Sequence, residues 1–221
     1  MASFLDFLFP KRCVGCGRFG SYLCYDCRAS QVIHSRQVCP GCERPAVDGR
    51  THPGCRTSLS LDGATFLFVY KPPISGLIKK LKYSLGRDLQ NIIVEWTVSE
   101  LEKHDLPWLA NSTLTPIPLH QLRSNWRGFN QASLLGKPIA KKLSWNYRDD
   151  ILIRHGLRKP QTEVRGAKKR LGNVKGIFSI NPIAQQRALL NASCTMPNNL
   201  VLFDDVWTTG STMKEAAKVT K

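Results

Sequence analysis

The chain has 221 residues, with 32 Lys and Arg side chains against 16 Asp and Glu and a formal net charge of +16. This length accommodates one sizeable core, or one core and a small satellite domain stabilised in another way. The first ten residues lack a basic region and include Asp6, and no later stretch approaches 18 consecutive apolar residues. The sequence therefore predicts neither a signal peptide nor a membrane span, and we expect a cytoplasmic protein.

Seven of the eight cysteines fall within the first 55 residues, in pairs with the spacing of zinc ligands. Three pairs have C-x2-C spacing and a fourth has H-x2-C spacing. In a reducing compartment, clustered thiols bind metal more readily than they form disulfides. The predicted ligands of two structural zinc sites are Cys13, Cys16, Cys24, Cys27, Cys39, Cys42, His52 and Cys55. The spacing leaves open whether consecutive pairs share an ion or whether the pairs cross.

From residue 61 onward, short apolar runs alternate with helical periodicity, which is typical of an α/β domain. Strands are predicted at 65–70, 114–119, 151–153 and 200–203. Helices are predicted over 74–81, 89–101 and 134–143, and from near Met213 onward. Continuous apolar strands separated by helices favour a parallel sheet flanked by helices, with 200–203 as a central strand. We expect a zinc-binding module over 1–60 and the α/β domain over 61–221.

The stretch "LVLFDDVWTTGST", residues 200–212, joins the last predicted strand to a helix through two adjacent carboxylates and a run of hydroxyl residues and glycine. Ligands of parallel sheets bind beyond the carboxyl ends of the strands. The turn at 208–212 offers backbone N–H groups, hydroxyls and a helix N-terminus to a phosphate. Asp204 and Asp205 would accept hydrogen bonds from sugar hydroxyls or bind hydrated Mg2+, so a ribose 5-phosphate fits both halves.

Half of the excess positive charge lies in residues 151–200, which contain nine basic side chains and one acidic side chain. Such a concentration indicates a polyanionic partner. Nucleic acid and a phosphate-rich small molecule both remain open on charge alone.

The stretch "VLFDDVWTTGST" resembles the phosphoribosyl pyrophosphate (PRPP) signature of type I phosphoribosyltransferases. The cysteine pairs, "LIKKLKY", "PIPLHQLRSNWRGFNQA", "RKPQTEVRGAKKRLGNVKGIF" and this signature follow one another in that order. On these ordered motifs the chain is identified as a member of the ComF/GntX family of bacterial competence and DNA-utilisation proteins. The resemblance covers nearly the whole chain and implies a type I phosphoribosyltransferase-like fold with an N-terminal zinc finger.

The resemblance also implies roles for individual residues. Asp204 and Asp205 would bind the ribose hydroxyls, and the 5-phosphate would be held by Thr208, Thr209, Gly210, Ser211 and Thr212. Arg127, in the loop 118–131, would contact pyrophosphate, and Arg170 would enter the site from the basic segment 154–175, which looks like the loop that closes over PRPP. Mg2+ would accompany PRPP. Lys82 and Tyr83 match a Lys–aromatic pair of the family, for which a functional role and the solvated end of a helix are both open.

The sequence departs from the family pattern at three points, the first of which is Glu163, where relatives often have glycine. His52 stands where relatives usually have a cysteine, and it can still bind zinc, with one thiolate fewer at that site. The chain ends at Lys221, nine residues after Thr212, so we expect the sheet to be short of the strand that usually follows in the family.

Two functions compete at this point. One is Mg2+-dependent transfer of a phosphoribosyl group from PRPP to an unknown acceptor, with pyrophosphate leaving, in a protein linked to DNA uptake or utilisation. The other is a non-catalytic protein that handles single-stranded DNA for the uptake proteins. A zinc-dependent interaction module is a third interpretation, and the adjacent acids argue against it.

Overall fold

The computed structural model describes residues 10–31, 36–83, 87–104, 106, 109–119, 128–155, 176–190 and 197–221, with only the backbone of 187–190. The described residues form two compact units. One draws on Met1–Arg36 and Phe66–His104, and the other on Gln37–Thr65 and Asp105–Lys221. The cysteine-rich region therefore contributes to both units. The domain division at residue 60 stays a prediction, because packing alone does not define independent folding.

The first unit contains the short helix α1 (Tyr25–Ala29) and two longer helices, α2 (Ile74–Leu81) and α3 (Arg87–Glu102). Helix α2 buries the apolar face that its periodicity predicts, including Leu77 and Leu81. In α3, Trp96 is buried, and its ring centre lies 4.7 Å from that of Phe68. The helices predicted over 74–81 and 89–101 are thus confirmed.

The strand predicted at 65–70 is wrong, because these residues form no regular strand in the structure. The buried side chain of Gln31 hydrogen-bonds this extended stretch instead. Its Nε2 donates to the carbonyl of Val69 at 3.0 Å, and its Oε1 accepts from the N–H of Ile74 at 3.1 Å. A side-chain amide thus partners an extended segment and also satisfies an N–H group at the start of α2.

The second unit begins with two 3-10 turns, Val47–Gly49 and Pro53–Cys55. Its further elements are β1 (Thr113–Pro116), α4 (Gln131–Lys142), β2 (Asn146–Tyr147), β3 (Leu152–Arg154), β4 (Phe178–Ile180), α5 (Pro182–Leu190), β5 (Leu200–Phe203) and α6 (Ser211–Thr220). Strand β1 lies between β2 and β5, and all three are parallel. The expected parallel sheet flanked by helices is confirmed.

Two strand predictions differ from this sheet. Within the described residues β5 pairs with β1 alone, so it is an edge strand and not a central one. Its apolar run misleads because helices cover it: the ring of Phe203 lies against Gly136 of α4. The strand predicted at 151–153 is β3, which pairs antiparallel with β4 outside the parallel sheet.

A buried cluster holds the antiparallel strands β3 and β4, the end of β1 and α6 together, and so positions the carboxyl edge of the sheet. Its buried members are Ile117, Ile151, Leu152, Ile177, Phe178 and Ala216. Strand β1 ends at Pro116, yet the N–H of Ile117 still donates to the carbonyl of Phe203 at 2.8 Å. Pro118 has no N–H to extend the ladder, so the chain turns away here. Among the described helices, none has the length and apolar character that crossing a bilayer requires.

Candidate functional site

The predicted zinc ligands form two clusters, in each of which the candidate ligand atoms lie within 4.8 Å of one another. One contains Cys13, Cys16, Cys24 and Cys27, and the other Cys39, Cys42, His52 and Cys55. Consecutive pairs therefore come together, and the crossed arrangement is not the one adopted. Each cluster offers four ligands, which matches a closed, tetrahedral structural zinc site.

The first pair of each cluster lies in the same kind of small hairpin. The N–H of Cys13 donates to the carbonyl of Arg18, and the N–H of Cys39 donates to the carbonyl of Arg44. Each hairpin contains one residue with a positive φ, which makes the turn tight: Gly17 at 76° in the first hairpin and Glu43 at 60° in the second. These turns aim both thiols of a C-x2-C pair at one point.

The donor chemistry of both clusters fits a cation. Burial raises the pKa of the Cys13 thiol, but hydrogen bonds from the N–H groups of Cys24, Cys16 and Gly15 outweigh burial and lower it to about 6. A side-chain hydrogen bond with Cys24, together with burial, raises the pKa of Cys27 to about 12. Adjacent thiols cannot all ionise without a cation between them, and zinc supplies that charge.

His52 is oriented as a zinc ligand in the second cluster. Its Nε2 lies 3.0 Å from the carbonyl oxygen of Pro45, and its Nδ1 lies 3.4 Å from Cys42 Sγ. A carbonyl only accepts, so Nε2 carries the proton and Nδ1 is left to bind the metal.

The two adjacent acids leave β5 at the carboxyl edge of the sheet, as predicted. Both are half-buried, and the N–H of Asp205 donates to Asp204 Oδ1 at 2.9 Å. The exposed Thr208 and Thr209 follow, and Thr209 Oγ1 accepts from the N–H of Ser211 at 3.4 Å. Carboxylates, hydroxyls and the N-terminus of a ten-residue helix thus occupy one short loop, which we call the 204–212 loop.

Gly210 is required at the N-cap of α6 for two independent reasons. Its φ of 67° lies in the left-handed region, and a Cβ there would lie 2.1 Å from the ring of Trp207. Lys214, in the first turn of the helix, places Nζ 5.9 Å from the centre of the same ring. Trp207 therefore packs against the backbone of the loop and fixes its shape.

The loop that follows β1 starts beside the 204–212 loop, because Pro116 pairs with Phe203 in the parallel ladder. Asn130 holds the far end of this loop. Its Oδ1 caps α4 by accepting from the N–H of Ala132, and its Nδ2 donates to the carbonyl of Ile117, each at 3.0 Å. Arg127, the residue predicted to contact pyrophosphate, lies outside the described residues.

The basic segment 154–175 lies mostly outside the described residues, and so does Arg170, but the residues that flank it are well placed. Arg154 Nη1 donates to the carbonyl of Pro118 at 3.3 Å. The N–H of Gly176 donates to Glu215 Oε1 at 2.6 Å. One end is thus bound to the loop after β1 and the other to the helix after the 204–212 loop.

Comparison with known proteins identifies relatives over most of the chain. Residues 4–56 match the double zinc ribbon domain family. The DNA utilization protein YhgH of Escherichia coli K12 is 28% identical over 190 residues, covering 83% of this chain and 78% of that protein. Competence protein F of Haemophilus influenzae is 26% identical over 226 residues, covering 91% of each. The chain is therefore similar to DNA utilization and competence proteins over most of its length.

Competence protein ComFC of Bacillus subtilis is a further relative of this chain, 26% identical over 213 residues and covering 89% of the chain and 76% of that protein. No solved structure matches the chain. The family resemblance seen in the ordered motifs is confirmed. The ribbon match and the two clusters together confirm structural zinc.

Glu215 is a residue of the site that sequence reasoning missed. It binds the N–H of Gly176, which is 39 residues away in the chain. The sequence does not indicate this contact, because the donor is a backbone N–H, and every residue except proline has one. The position of Glu215 one turn after Ser211 is the sole sequence feature that places it near the loop.

Proposed function

We propose that this protein binds PRPP together with Mg2+ through the 204–212 loop. Asp204 and Asp205 would hold the ribose 2- and 3-hydroxyls, while Thr208, Thr209, Gly210, Ser211 and Thr212 would hold the 5-phosphate. The observation that carries the proposal is the direct succession of two half-buried carboxylates, a hydroxyl turn and a capped helix at the carboxyl edge of a parallel sheet.

The rest of the reaction is assigned to cations. Arg127, in the loop after β1, and Arg170, in the basic segment, would face the pyrophosphate group and stabilise its charge as it leaves. The anchoring of Arg154 to Pro118 and of Gly176 to Glu215 supports this assignment, because both ends of the basic segment start beside the loops of the proposed site. The phosphoribosyl group would pass to an unknown acceptor.

The test is calorimetric titration of the zinc-loaded protein with PRPP and Mg2+, beside the double variant Asp204→Asn, Asp205→Asn. The chain offers a matched control in its other adjacent acids, Asp149 and Asp150, of which Asp150 is already bound by both Nε and Nη2 of Arg148. We expect binding to wild type and to Asp149→Asn, Asp150→Asn, and no binding to the first variant. No heat with folded wild type would overturn the proposal.

A second candidate is the handling of single-stranded DNA. The names of the relatives, DNA utilization protein and competence protein, favour it, and so does the sequence of residues 154–175, which contains eight basic side chains and one acidic side chain. A segment of this charge binds polyanions, and such binding weakens steeply as salt concentration rises. PRPP binding by the acidic loop has a different signature, since it requires Asp204, Asp205 and Mg2+.

A further inference from the structure

Asp62 binds two cations that come from distant parts of the sequence within the second unit. Its Oδ1 accepts from Arg56 Nη2 at 3.1 Å, and its Oδ2 accepts from Lys221 Nζ at 2.6 Å. Arg56 directly follows the zinc ligand Cys55, whereas Lys221 directly follows α6. One carboxylate therefore joins the second zinc cluster to the helix that begins in the 204–212 loop.

The backbone holds Asp62 in this position. Its carbonyl accepts from the N–H of Thr51 at 2.8 Å, and the N–H of Ala64 donates to the carbonyl of Gly49 at 2.9 Å in the same short antiparallel pairing. Thr51 is buried and directly precedes the zinc ligand His52. An ion bound in the second cluster therefore orders both the backbone and the guanidinium that hold this carboxylate.

Helix α6 (Ser211–Thr220) is the other end of the connection. Its first turn supplies Ser211 and Thr212 to the 204–212 loop, and its middle is buried at Ala216 and Ala217. A ten-residue helix is stiff and about 15 Å long. A restraint on Lys221, directly after the last turn, therefore limits how the whole helix tilts and where its first turn lies.

The ion pairs of Asp62 are exposed, so their effect on stability is small and their position matters more. The side chains of Arg56 and Asp62 are 66% and 57% exposed, and that of Lys221 is 32% exposed. The first cluster has a comparable exposed pair, Arg18 with Asp26, but both of its residues belong to the first unit. That pair serves as a matched control for the link made by Asp62.

We propose that the second zinc cluster regulates the 204–212 loop through Asp62, with α6 as the connecting element. Zinc in this cluster holds Asp62, Asp62 holds the end of α6, and the loop at the start of α6 is thereby kept in its binding conformation. Coupling between two sites is reciprocal, so a ligand of the loop strengthens zinc binding by the same factor. The proposal rests on the proposed function, PRPP binding, and names its regulation.

The first test needs no ligand and follows amide hydrogen exchange by mass spectrometry in the zinc-loaded full chain. Asp62→Asn keeps the size and the backbone bonds of residue 62 and removes its charge. Exchange in α6 should become about twofold to fivefold faster, the range expected for loss of an exposed ion pair. Asp26→Asn should leave α6 unchanged. Unchanged exchange of α6 in Asp62→Asn would overturn the proposal.

The second test is calorimetric titration of the same proteins with PRPP and Mg2+. Asp62→Asn and Lys221→Gln should each weaken PRPP binding by about twofold to fivefold. The double variant should match Asp62→Asn, because both substitutions break one and the same pair. Additive losses in the double variant, or an equal loss in Asp26→Asn, would contradict a link through Asp62.

The third test measures zinc and separates this link from the function on which it rests. Saturating PRPP with Mg2+ should make the second cluster hold its ion about twofold to fivefold more tightly against a chromogenic chelator in wild type, and not in Asp62→Asn. The variant Asp204→Asn, Asp205→Asn controls for zinc bound by PRPP itself.

The outcomes distinguish the two proposals. If wild type does not bind PRPP, the proposed function fails, and hydrogen exchange in α6 still decides whether Asp62 links the cluster to the helix. If PRPP binds wild type and Asp62→Asn equally and leaves zinc affinity unchanged, the function stands and the regulation is overturned.

Discussion

Asn130 and Asn199 hydrogen-bond to residues that flank opposite ends of strand β1. Asn130 Nδ2 donates to the carbonyl of Ile117, just beyond the carboxyl end of β1, whereas Asn199 Nδ2 donates to Ser112 Oγ at its amino end. Each side-chain amide donates a hydrogen bond across the chain, and Asn130 in addition caps α4. Only Asn130 lies beside the 204–212 loop. Variants of the two residues therefore distinguish an effect on stability from an effect on ligand binding.

Asn130→Ala should lower the free energy of unfolding by about 1 kcal/mol, because the helix cap is lost, and it should also weaken PRPP binding. Asn199→Ala should cost a similar amount of stability, since it too removes hydrogen bonds, and leave PRPP binding intact. Urea denaturation and calorimetry measure the two effects. Equal loss of PRPP affinity in both variants would contradict the site.

Gly210→Ala should destabilise the protein more than Gly176→Ala. Both glycines have φ near 70°, so alanine at either position costs about 1–2 kcal/mol for the left-handed backbone. At Gly176 the added Cβ meets nothing within 4 Å, whereas at Gly210 it meets the ring of Trp207. The extra loss of melting temperature for Gly210→Ala therefore reports the packing of Trp207, and equal losses would argue against that packing.

Glu215→Ala should lower the free energy of unfolding by about 1.5–3 kcal/mol, because the N–H of Gly176 loses a charged acceptor. Lys218→Ala removes only the exposed partner of the same carboxylate and should cost about 0–1 kcal/mol. Urea denaturation of the two variants provides the comparison. Similar values would show that the ion pair, and not the contact with Gly176, explains the role of Glu215.

A chelator should remove the two zinc ions in two kinetic phases, with the ion of the second cluster leaving first. That cluster has three thiolates and His52, whereas the first cluster has four thiolates, which bind zinc more tightly. His52→Cys should slow the first phase until the two phases merge. Release followed with a chromogenic metal indicator gives the rates, and a single phase in wild type would contradict the difference between the clusters.

Acid should release zinc as well, because protons compete with the metal for the thiolates. The backbone hydrogen bonds that lower the pKa of Cys13 to about 6 make that sulfur hard to protonate. Because the pKa of Cys13 is lowered in the folded protein, its thiolate stabilises the fold at pH values above the ordinary pKa of a thiol. This stabilisation is lost as the pH falls through about 6. We expect zinc to be released as the pH is lowered, measured on the same indicator after buffer exchange.

The features that could be predicted from the sequence are those that depend on local patterns of residues. The C-x2-C spacing predicted the zinc clusters, and helical periodicity predicted α2 and α3, because both depend on residues a few positions apart. The stretch 65–70 was misjudged since its hydrogen-bonding partner is Gln31, a side chain more than thirty residues away. The position of β5 at the edge of the described sheet was missed because the apolar run of a half-buried edge strand looks the same as that of a central strand.

Because the two zinc clusters lie in different compact units, oxidation of one cluster should affect one unit and not the other. Oxidation of Cys16 or Cys27 would eject one ion and loosen the unit built around α2 and α3, while the cluster of Cys39 and Cys55 kept its own ion. Each ion therefore stabilises a different portion of the chain. A mild oxidant would yield a half-loaded species in which amide protons of one unit exchange with solvent and those of the other stay protected.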